Sequence, residues 1–277
     1  MTANLSSLPK DQRLERLRHS AAHIMAEAVL SLFPDAKLGI GPPIETGFYY
    51  DFELPRSLNE EDLTIIQKKM AERIKSNVSF DYEEIPKKSA REMFSGQPYK
   101  MELIQDIEED HVGLFKHGEF VDLCQGPHVD RTGDIGSFKL LNVAGAYWRG
   151  DESKPMLQRI YGALFETKDE LKEFLNHLEE SQKRDHRKLG KELDLFSMHE
   201  EAGAGFIHWH PRGTVLRTLV EDKWKEMHRE REYDLVSTPH VVSEDIYRRT
   251  GHLQAYQDVM FAGMEEDGQA FRVKPMN

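Results

Sequence analysis

The sequence predicts an α+β protein with more than one domain. Three observations point there. A long apolar repeat of helical period lies near the start, an aromatic strand pattern follows it, and the character changes near residue 165 to a charged helical segment that leads into a new helix–strand unit. The 277 residues leave room for one large domain or two ordinary ones.

Leu14, Leu17, Ala21, Ile24, Met25, Ala28, Val29 and Leu32 recur at helical spacing, which predicts a helix over 12–33, stopped by Pro34. Gly39-Ile40-Gly41-Pro42-Pro43 reads as a turn-rich loop and Thr46-Gly47-Phe48-Tyr49-Tyr50-Asp51-Phe52 as a strand. A second helix opens at Leu58-Asn59-Glu60-Glu61-Asp62 and runs to 77, with Leu63, Ile65, Ile66, Met70 and Ile74 apolar. Short segments follow, ending in strands expected at 138–143, 146–149 and 157–165. From 168 to 193 a highly charged stretch carries Leu171, Phe174, Leu175 and Leu178 on one stripe and reads as a connecting helix. Past the loop Glu201-Ala202-Gly203-Ala204-Gly205, a helix over 214–231, a strand over 233–242 containing Pro239 and a helix over 244–251 are expected. The expected boundaries are 1–166, 167–195 and 196–277, with no internal repeat and no low-complexity tract.

Composition narrows the function classes. With 39% hydrophobic and 31% charged residues the chain suits a soluble, core-forming protein. No run of apolar residues is long enough to span a bilayer and no basic-then-apolar leader opens the chain, so the expectation is a cytoplasmic protein without a membrane partner. The single cysteine, Cys124, forms no internal disulfide, which fits a reducing compartment. A net charge of −12 argues against a non-specific nucleic-acid coat and against DNA as partner. A local basic run, Lys183, Arg184, Arg187, Lys188 and Lys191, reads either as an RNA contact or as a solvated helix face.

Two clusters carry chemistry. His19 and His23 are four apart, so they share one helix face, with the apolar stripe roughly opposite. No Glu follows the first histidine, which removes the zinc-protease HExxH reading. In Val121-Asp122-Leu123-Cys124-Gln125-Gly126-Pro127-His128, Gly126 and Pro127 dictate a tight loop in which Cys124 and His128 can face one site. Two histidines with a cysteine and a third histidine make a set with metal-ligand chemistry. The same groups could activate a water without metal, or form a Cys–His nucleophilic pair.

His19-Ser20-Ala21-Ala22-His23, Gly47-Phe48-Tyr49-Tyr50-Asp51, Cys124-Gln125-Gly126-Pro127-His128, Gly145-Ala146-Tyr147-Trp148-Arg149-Gly150-Asp151 and Leu157-Gln158-Arg159-Ile160-Tyr161-Gly162 occur in one order. That order resembles the second N-terminal domain of bacterial threonyl-tRNA synthetases. Arg184-Asp185-His186-Arg187-Lys188-Leu189-Gly190 looks like the family's linker, and Lys274-Pro275-Met276-Asn277 like the segment before its first catalytic-domain zinc cysteine. The helix and Pro239-containing strand after residue 206 look like motif 1 of class II synthetases, with Pro239 at a dimer interface.

The resemblance implies an editing domain with helices packed on an antiparallel sheet, a linker helix, and the opening of an antiparallel class II catalytic domain. It implies a threonine–tRNA ligase whose editing site hydrolyses mischarged seryl-tRNA. Threonine and serine differ by one methyl group, worth only about 1–3 kcal/mol, so a second, hydrolytic sieve is the physical remedy. The editing residues carry over onto His19, His23, Lys100, Asp122, Cys124 and His128, with Gly41 and Tyr50 lining the pocket. On that mapping His19 and a further group activate water, Lys100 protonates the leaving ribose oxygen or steadies negative charge, Asp122 binds the seryl ammonium, and Cys124 and His128 form the floor. Related alanyl editing domains hold zinc on the same four groups, whereas threonyl ones work without metal, so no metal is favoured here. The implied partners are threonine-specific tRNA and a second copy of the complete enzyme. The family's small leading domain finds no room before His19. Its catalytic zinc ligands, Mg-ATP site and anticodon domain are expected past Asn277, so this chain is expected to make no aminoacyl-adenylate. The alternatives are a free-standing editing deacylase, which has no use for a linker and motif 1, and a non-catalytic dimerising relative, which has no use for the intact His/Cys set.

Overall fold

In a computed structural model, which describes residues 5–203, 205–256 and 259–275, the chain divides into two compact units, Met1–Lys183 and Arg184–Asn277. Ala204 of the expected glycine loop, and Met276 and Asn277 of the last quoted motif, lie outside the described residues.

The first unit is organised around α1 (Lys10–Leu32), which ends at the last expected apolar position. Leu14, Leu17, Ala21, Ile24, Met25, Ala28 and Val29 are all buried, as their spacing predicts. The face expected to lie opposite that stripe is also covered. Ser20 to Ala26 are buried without interruption, so His23 sits inside the protein. The physical reason is that small side chains, Ser20, Ala21, Ala22 and Ala26, let other elements approach the helix from every side.

One side of α1 rests on a five-stranded antiparallel sheet formed by β1 (Lys37–Leu38), β2 (Pro43–Ile44), β3 (Gly47–Glu53), β7 (Ser137–Tyr147) and β8 (Met156–Phe165). The order is β1-β3-β8-β7, with β2 added on β3. Alternation along β3 sends Phe48, Tyr50 and Phe52 into the core beneath α1 and Tyr49 to the other face. The two strands expected at 138–143 and 146–149 are one. β7 pairs with β8 along its whole length, from Ser137↔Phe165 to Tyr147↔Met156, and absorbs an irregularity between Leu140 and Asn142 as a bulge.

The helix α2 (Glu60–Ser76) packs beside α1 and buries Ile66 and Met70. Asn59 caps it in a reciprocal box with Asp62, and Asn77 closes it in the left-handed conformation at φ 51°. Between the two halves of the main sheet lie β4 (Asp81–Pro86), α3 (Lys87–Met93), α4 (Pro98–Asp106), β5 (His111–His117) and β6 (Phe120–Leu123). These three strands form a separate antiparallel sheet, β4-β5-β6, closed over a small core of Ile85, Ala90, Phe94, Ile104, Val112 and Leu114.

The expected connecting helix over 168–193 is two helices, α5 (Lys168–Lys183) in the first unit and α6 (His186–Glu192) in the second. Asp185 ends the run by capping a new start: its side chain accepts from Arg187 N at 2.8 Å. The stripe Leu171, Phe174, Leu175 and Leu178 is half-buried, with Phe174 against Phe165.

The second unit contains a hairpin of β9 (Phe196–Met198) and β10 (Ile207–Trp209), the helix α7 (Pro211–Arg229), and a three-stranded sheet, β11-β13-β12, made by β11 (Val241–Ser243), β12 (Met264–Glu266) and β13 (Gln269–Val273). The short helices α8 (Glu244–Arg249) and α9 (His252–Tyr256) follow β11. The strand expected over 233–242 shrinks to Val241–Ser243, the part that pairs with β13. Among the described residues, 233–239 join no ladder, His240 accepts one backbone bond from Lys274 N at 2.8 Å beside β13, and Tyr233, Leu235 and Val236 remain exposed. An apolar alternating run does not become a strand without a ladder to join.

Candidate functional site

Four elements converge on one spot in the first unit. α1 supplies His19 and His23, one turn apart with ring centroids 5.2 Å from each other. The loop leaving β6 supplies Cys124 and His128, and its turn runs through Gly126 at φ 75°, where a Cβ would come within 2.8 Å of the Phe115 ring. α4 supplies Lys100, and β3 supplies Tyr50. Ser20, between the two helix histidines, ties the loop to the helix by accepting from Val129 N at 3.0 Å.

The hydrogen bonds around Cys124 form one chain whose donor and acceptor roles follow the tautomers of the two histidines. In the tautomer with the His19 proton on Nδ1, Nε2 is an acceptor, and Cys124 Sγ, 3.3 Å away, donates its single S–H to it. The sulfur then accepts from His128 Nε2, also at 3.3 Å, as it does from Gly126 N at 3.2 Å. His128 Nδ1 is left as acceptor for the Ser20 hydroxyl at 3.0 Å. Every donor in this chain has an acceptor when all the groups are uncharged.

The electrostatics favour that uncharged state. Burial lowers the proton affinity of His19, and lowers that of His23 and His128 much further, with each ring adding to the penalty on its neighbours. Burial pushes the Cys124 thiol up to about 11. A thiol so held is a poor nucleophile, which removes the support for a free-standing Cys–His pair. His23 and His128 are buried, while His19 and Cys124 are partly open, so the site faces solvent through those two.

Beside this chain sits a second group. Lys100 Nζ lies 2.6 Å from Asp122 Oδ1 and donates to Tyr50 Oη at 3.0 Å. Tyr50 donates in turn to Asp122 Oδ2 at 2.6 Å, and Leu123 N donates to Asp122 Oδ1 at 2.8 Å. All three side chains are almost fully buried. Burial, then Asp122, raises the Tyr50 phenol well above its ordinary range, which keeps it a donor. Gly41 lies flat on the Tyr50 ring, where a Cβ would stand 2.1 Å from Cδ2. His23 Nδ1 is 3.5 Å from Asp122 Oδ2 without a hydrogen bond.

The structure thus brings together His19, His23, Cys124 and His128, and places Lys100, Asp122, Tyr50 and Gly41 next to them. Asp122, expected to hold a substrate ammonium, has its oxygens taken by Lys100, Leu123 and Tyr50. Pro239 lies in the second unit, in the irregular segment 233–240, lining a cavity of about 410 Å³ with Val242, Ile246 and Tyr247. Sequence reasoning missed Ser20 and its role between helix and loop. The signal was a hydroxyl inside an otherwise small-residue stretch that a helix buries completely.

The ligand atoms of His19, His23, Cys124 and His128 all lie within 4.8 Å of one another. A tetrahedral zinc with bonds of about 2.0–2.3 Å needs ligand atoms about 3.3–3.8 Å apart, so the donor set suits that ion once its widest pair draws in.

Against known proteins, the family model for the threonyl and alanyl tRNA synthetase second additional domain matches residues 112–161, a stretch that includes Asp122, Cys124 and His128. The threonine–tRNA ligase of Dehalococcoides mccartyi (strain CBDB1) is 56% identical over 264 residues, 95% of this chain and 45% of that one. Along nearly its whole length the chain is a homologue of threonine–tRNA ligases. The threonine–tRNA ligase of Borreliella burgdorferi (strain ZS7) is 49% identical over 273 residues, 98% of this chain and 47% of that one. The chain therefore spans somewhat under half the length of these ligases. A solved structure, the RNA binding domain of threonyl-tRNA synthetase from Cryptosporidium parvum Iowa II, is 35% identical, covering 34% of this chain and 23% of that one at a TM-score of 0.32. No helix among the described residues is long and apolar enough to cross a membrane.

Proposed function

We propose that the first unit hydrolyses the ester of serine wrongly attached to threonine-specific tRNA, and that the chain serves as the proofreading part of a cytoplasmic threonine–tRNA ligase. The observation that carries the reading is the closed chain Ser20–His128–Cys124–His19, which ends at His19 Nε2 on the open side of the site. The S–H of Cys124 is a weak donor, so a water takes its place at Nε2 readily. That water attacks the ester carbonyl while its proton passes to His19 Nε2. The bond from carbonyl carbon to ribose oxygen breaks, and the ribose oxygen takes the proton back from His19 Nε2, giving free serine and uncharged tRNA. Lys100 spends two of its three N–H groups on Asp122 and Tyr50, which leaves one to steady the negative charge on the carbonyl oxygen. Asp122, which already holds Lys100, Leu123 N and Tyr50, acts as the anchor of Lys100 and Tyr50 rather than as the expected ammonium site.

Hydrolysis without metal is the favoured reading, because the chain of hydrogen bonds closes on uncharged groups alone. Were zinc bound, His19, His23, Cys124 and His128 would hold it, with Cys124 ionised, and it would supply Lewis-acid activation of water only with a position left open for that water. The proposed ligase activity of the whole protein, with its zinc and Mg-ATP, belongs to parts other than this site. Its homodimer would use the apolar face of α7 and the Pro239 segment.

The test is hydrolysis of seryl- and threonyl-charged threonine-specific tRNA by the chain. Seryl-tRNA should be cleaved and threonyl-tRNA spared, and His19→Ala should lower the rate by about 10²-fold or more. Equal hydrolysis of both esters, or a His19→Ala variant as fast as the parent, contradicts the assignment.

A further inference from the structure

Behind the site lies a polar group that the proposed chemistry does not use. His117, the last residue of β5, is fully buried, and neither ring nitrogen makes a well-formed hydrogen bond among the described residues, although the backbone of His23 approaches the ring. Its Nδ1 faces Glu27 Oε2 at 3.4 Å. Glu27 is four residues on from His23 and eight from His19, so the three follow one face of α1. Arg73 of α2 holds Glu27 by two bonds, Nε to Oε2 at 2.6 Å and Nη2 to Oε1. The Arg73 guanidinium passes beside Gly118, in the turn after His117, 3.1 Å from where a Cβ would stand.

The His117 ring is built into an aromatic layer that supports two histidines of the site. It lies 4.8 Å from the Phe80 ring and 4.9 Å from the Phe120 ring. Phe80 stacks parallel on His128, at 5.2 Å and 6°. Phe120 meets His23 edge to face, at 6.2 Å and 84°. Packing alone does not explain an imidazole here. A buried polar group without a well-formed hydrogen bond is unfavourable, and phenylalanine would fill the space without that penalty. Burial pushes His117 down to about 4, so the ring is uncharged near neutrality and gains no ion pair with Glu27. What the nitrogens provide is direction: Nδ1 turns toward the Glu27 carboxylate that Arg73 holds, at 3.4 Å, and the ring meets the His23 backbone.

We propose that His117, oriented by Glu27 and Arg73, is a positioning residue of the hydrolytic site that sets the rings of His23 and His128 through Phe120 and Phe80. The proposal rests on the hydrolytic reading above. It is tested with His117→Phe, which keeps the ring and removes the nitrogens, and His117→Asn, whose amide replaces Nδ1. His117→Phe should melt no lower than the parent yet lose about tenfold in kcat with KM within about twofold, as expected for misplaced reacting groups. His117→Asn should recover most of that loss. Glu27→Ala reaches the same contact from the helix side and should repeat the effect of His117→Phe. In long-range proton–nitrogen spectra of the histidine rings, the His23 and His128 signals should move in His117→Phe and Glu27→Ala and return toward the parent in His117→Asn. Unmoved signals with an unchanged kcat overturn the proposal, as do equal losses in His117→Phe and His117→Asn, which would make His117 packing only. A parent chain that cleaves no seryl-tRNA would sink the hydrolytic reading, while the ring spectra would still decide whether His117 positions His23 and His128.

Discussion

The two units treat their apolar residues in opposite ways. In the first, Met25, Phe48, Phe52, Ile66 and Ile160 are fully buried in one core, and the histidines of the site are part of the same packing. In the second, α7 buries only Gly213, and its stripe Val215, Leu216, Leu219, Val220 and Trp224 stays more than half exposed. Both helices carry a helical apolar repeat in sequence. The repeat says that a face wants cover, and the fold decides whether this chain supplies it. The first unit closes on itself and holds a finished constellation of side chains. The second presents surfaces that suit further protein.

That contrast can be broken most forcefully at charged pairs. Lys100→Met strands the buried Asp122 carboxylate and should destabilise the first unit by about 3–5 kcal/mol. The exposed pair of α7, Arg217 with Glu221, should contribute less than about 1 kcal/mol when Arg217→Ala removes it. Denaturant unfolding of each variant measures both. Similar values for the two would erase the distinction between the units.

Apolar truncation gives the next largest difference. Met25→Ala should cost about 2–5 kcal/mol through the cavity it leaves. Leu219→Ala on α7 should stay within about 0.5 kcal/mol, since its side chain is already in solvent. A large loss at Leu219 would mean that the α7 stripe is covered in solution.

Acid sharpens the comparison further. His23 and His128 are held well below their ordinary range by burial, so near and below pH 6.5 the unfolded chain binds protons that the folded one refuses. Stability then rises with pH through that window. It is fully present above the ordinary histidine range and drains away as pH falls toward the folded values. The unfolding midpoint of the first unit should fall below pH 6.5, and His128→Asn should flatten the slope. A midpoint constant from pH 7 to pH 5 contradicts the neutral network. A further contrast is expected at Ser20→Ala. It leaves Val129 N and His128 Nδ1 without their shared partner and should cost about 1–3 kcal/mol, with slower hydrolysis.

These differences also explain what the sequence makes legible. α1, β3 and α2 follow from local period and caps, and the pairing of His19 with His23 follows from helical spacing alone. Gly126 and Pro127 announce the turn that returns His128 toward Cys124. The link from Ser20 to Val129 spans 109 residues and has no local signature. The same holds for Lys100 with Asp122, where each residue alone reads as surface charge. Burial on all sides of α1 at His23 depends on what the β5–β6 hairpin brings, which period cannot encode. The segment 233–239 fails as a strand for the converse reason: it is rich in strand-forming residues, and among the described residues no partner ladder meets it.

The central claim is that the hydrolytic site is complete within the first unit. Single-turnover cleavage of seryl-tRNA by residues 1–183, with protein in saturating excess, tests it most directly. The account predicts a rate within about threefold of the full chain, abolished by His19→Ala and absent on threonyl-tRNA. A folded 1–183 fragment that leaves seryl-tRNA intact while the full chain cleaves it would contradict the account.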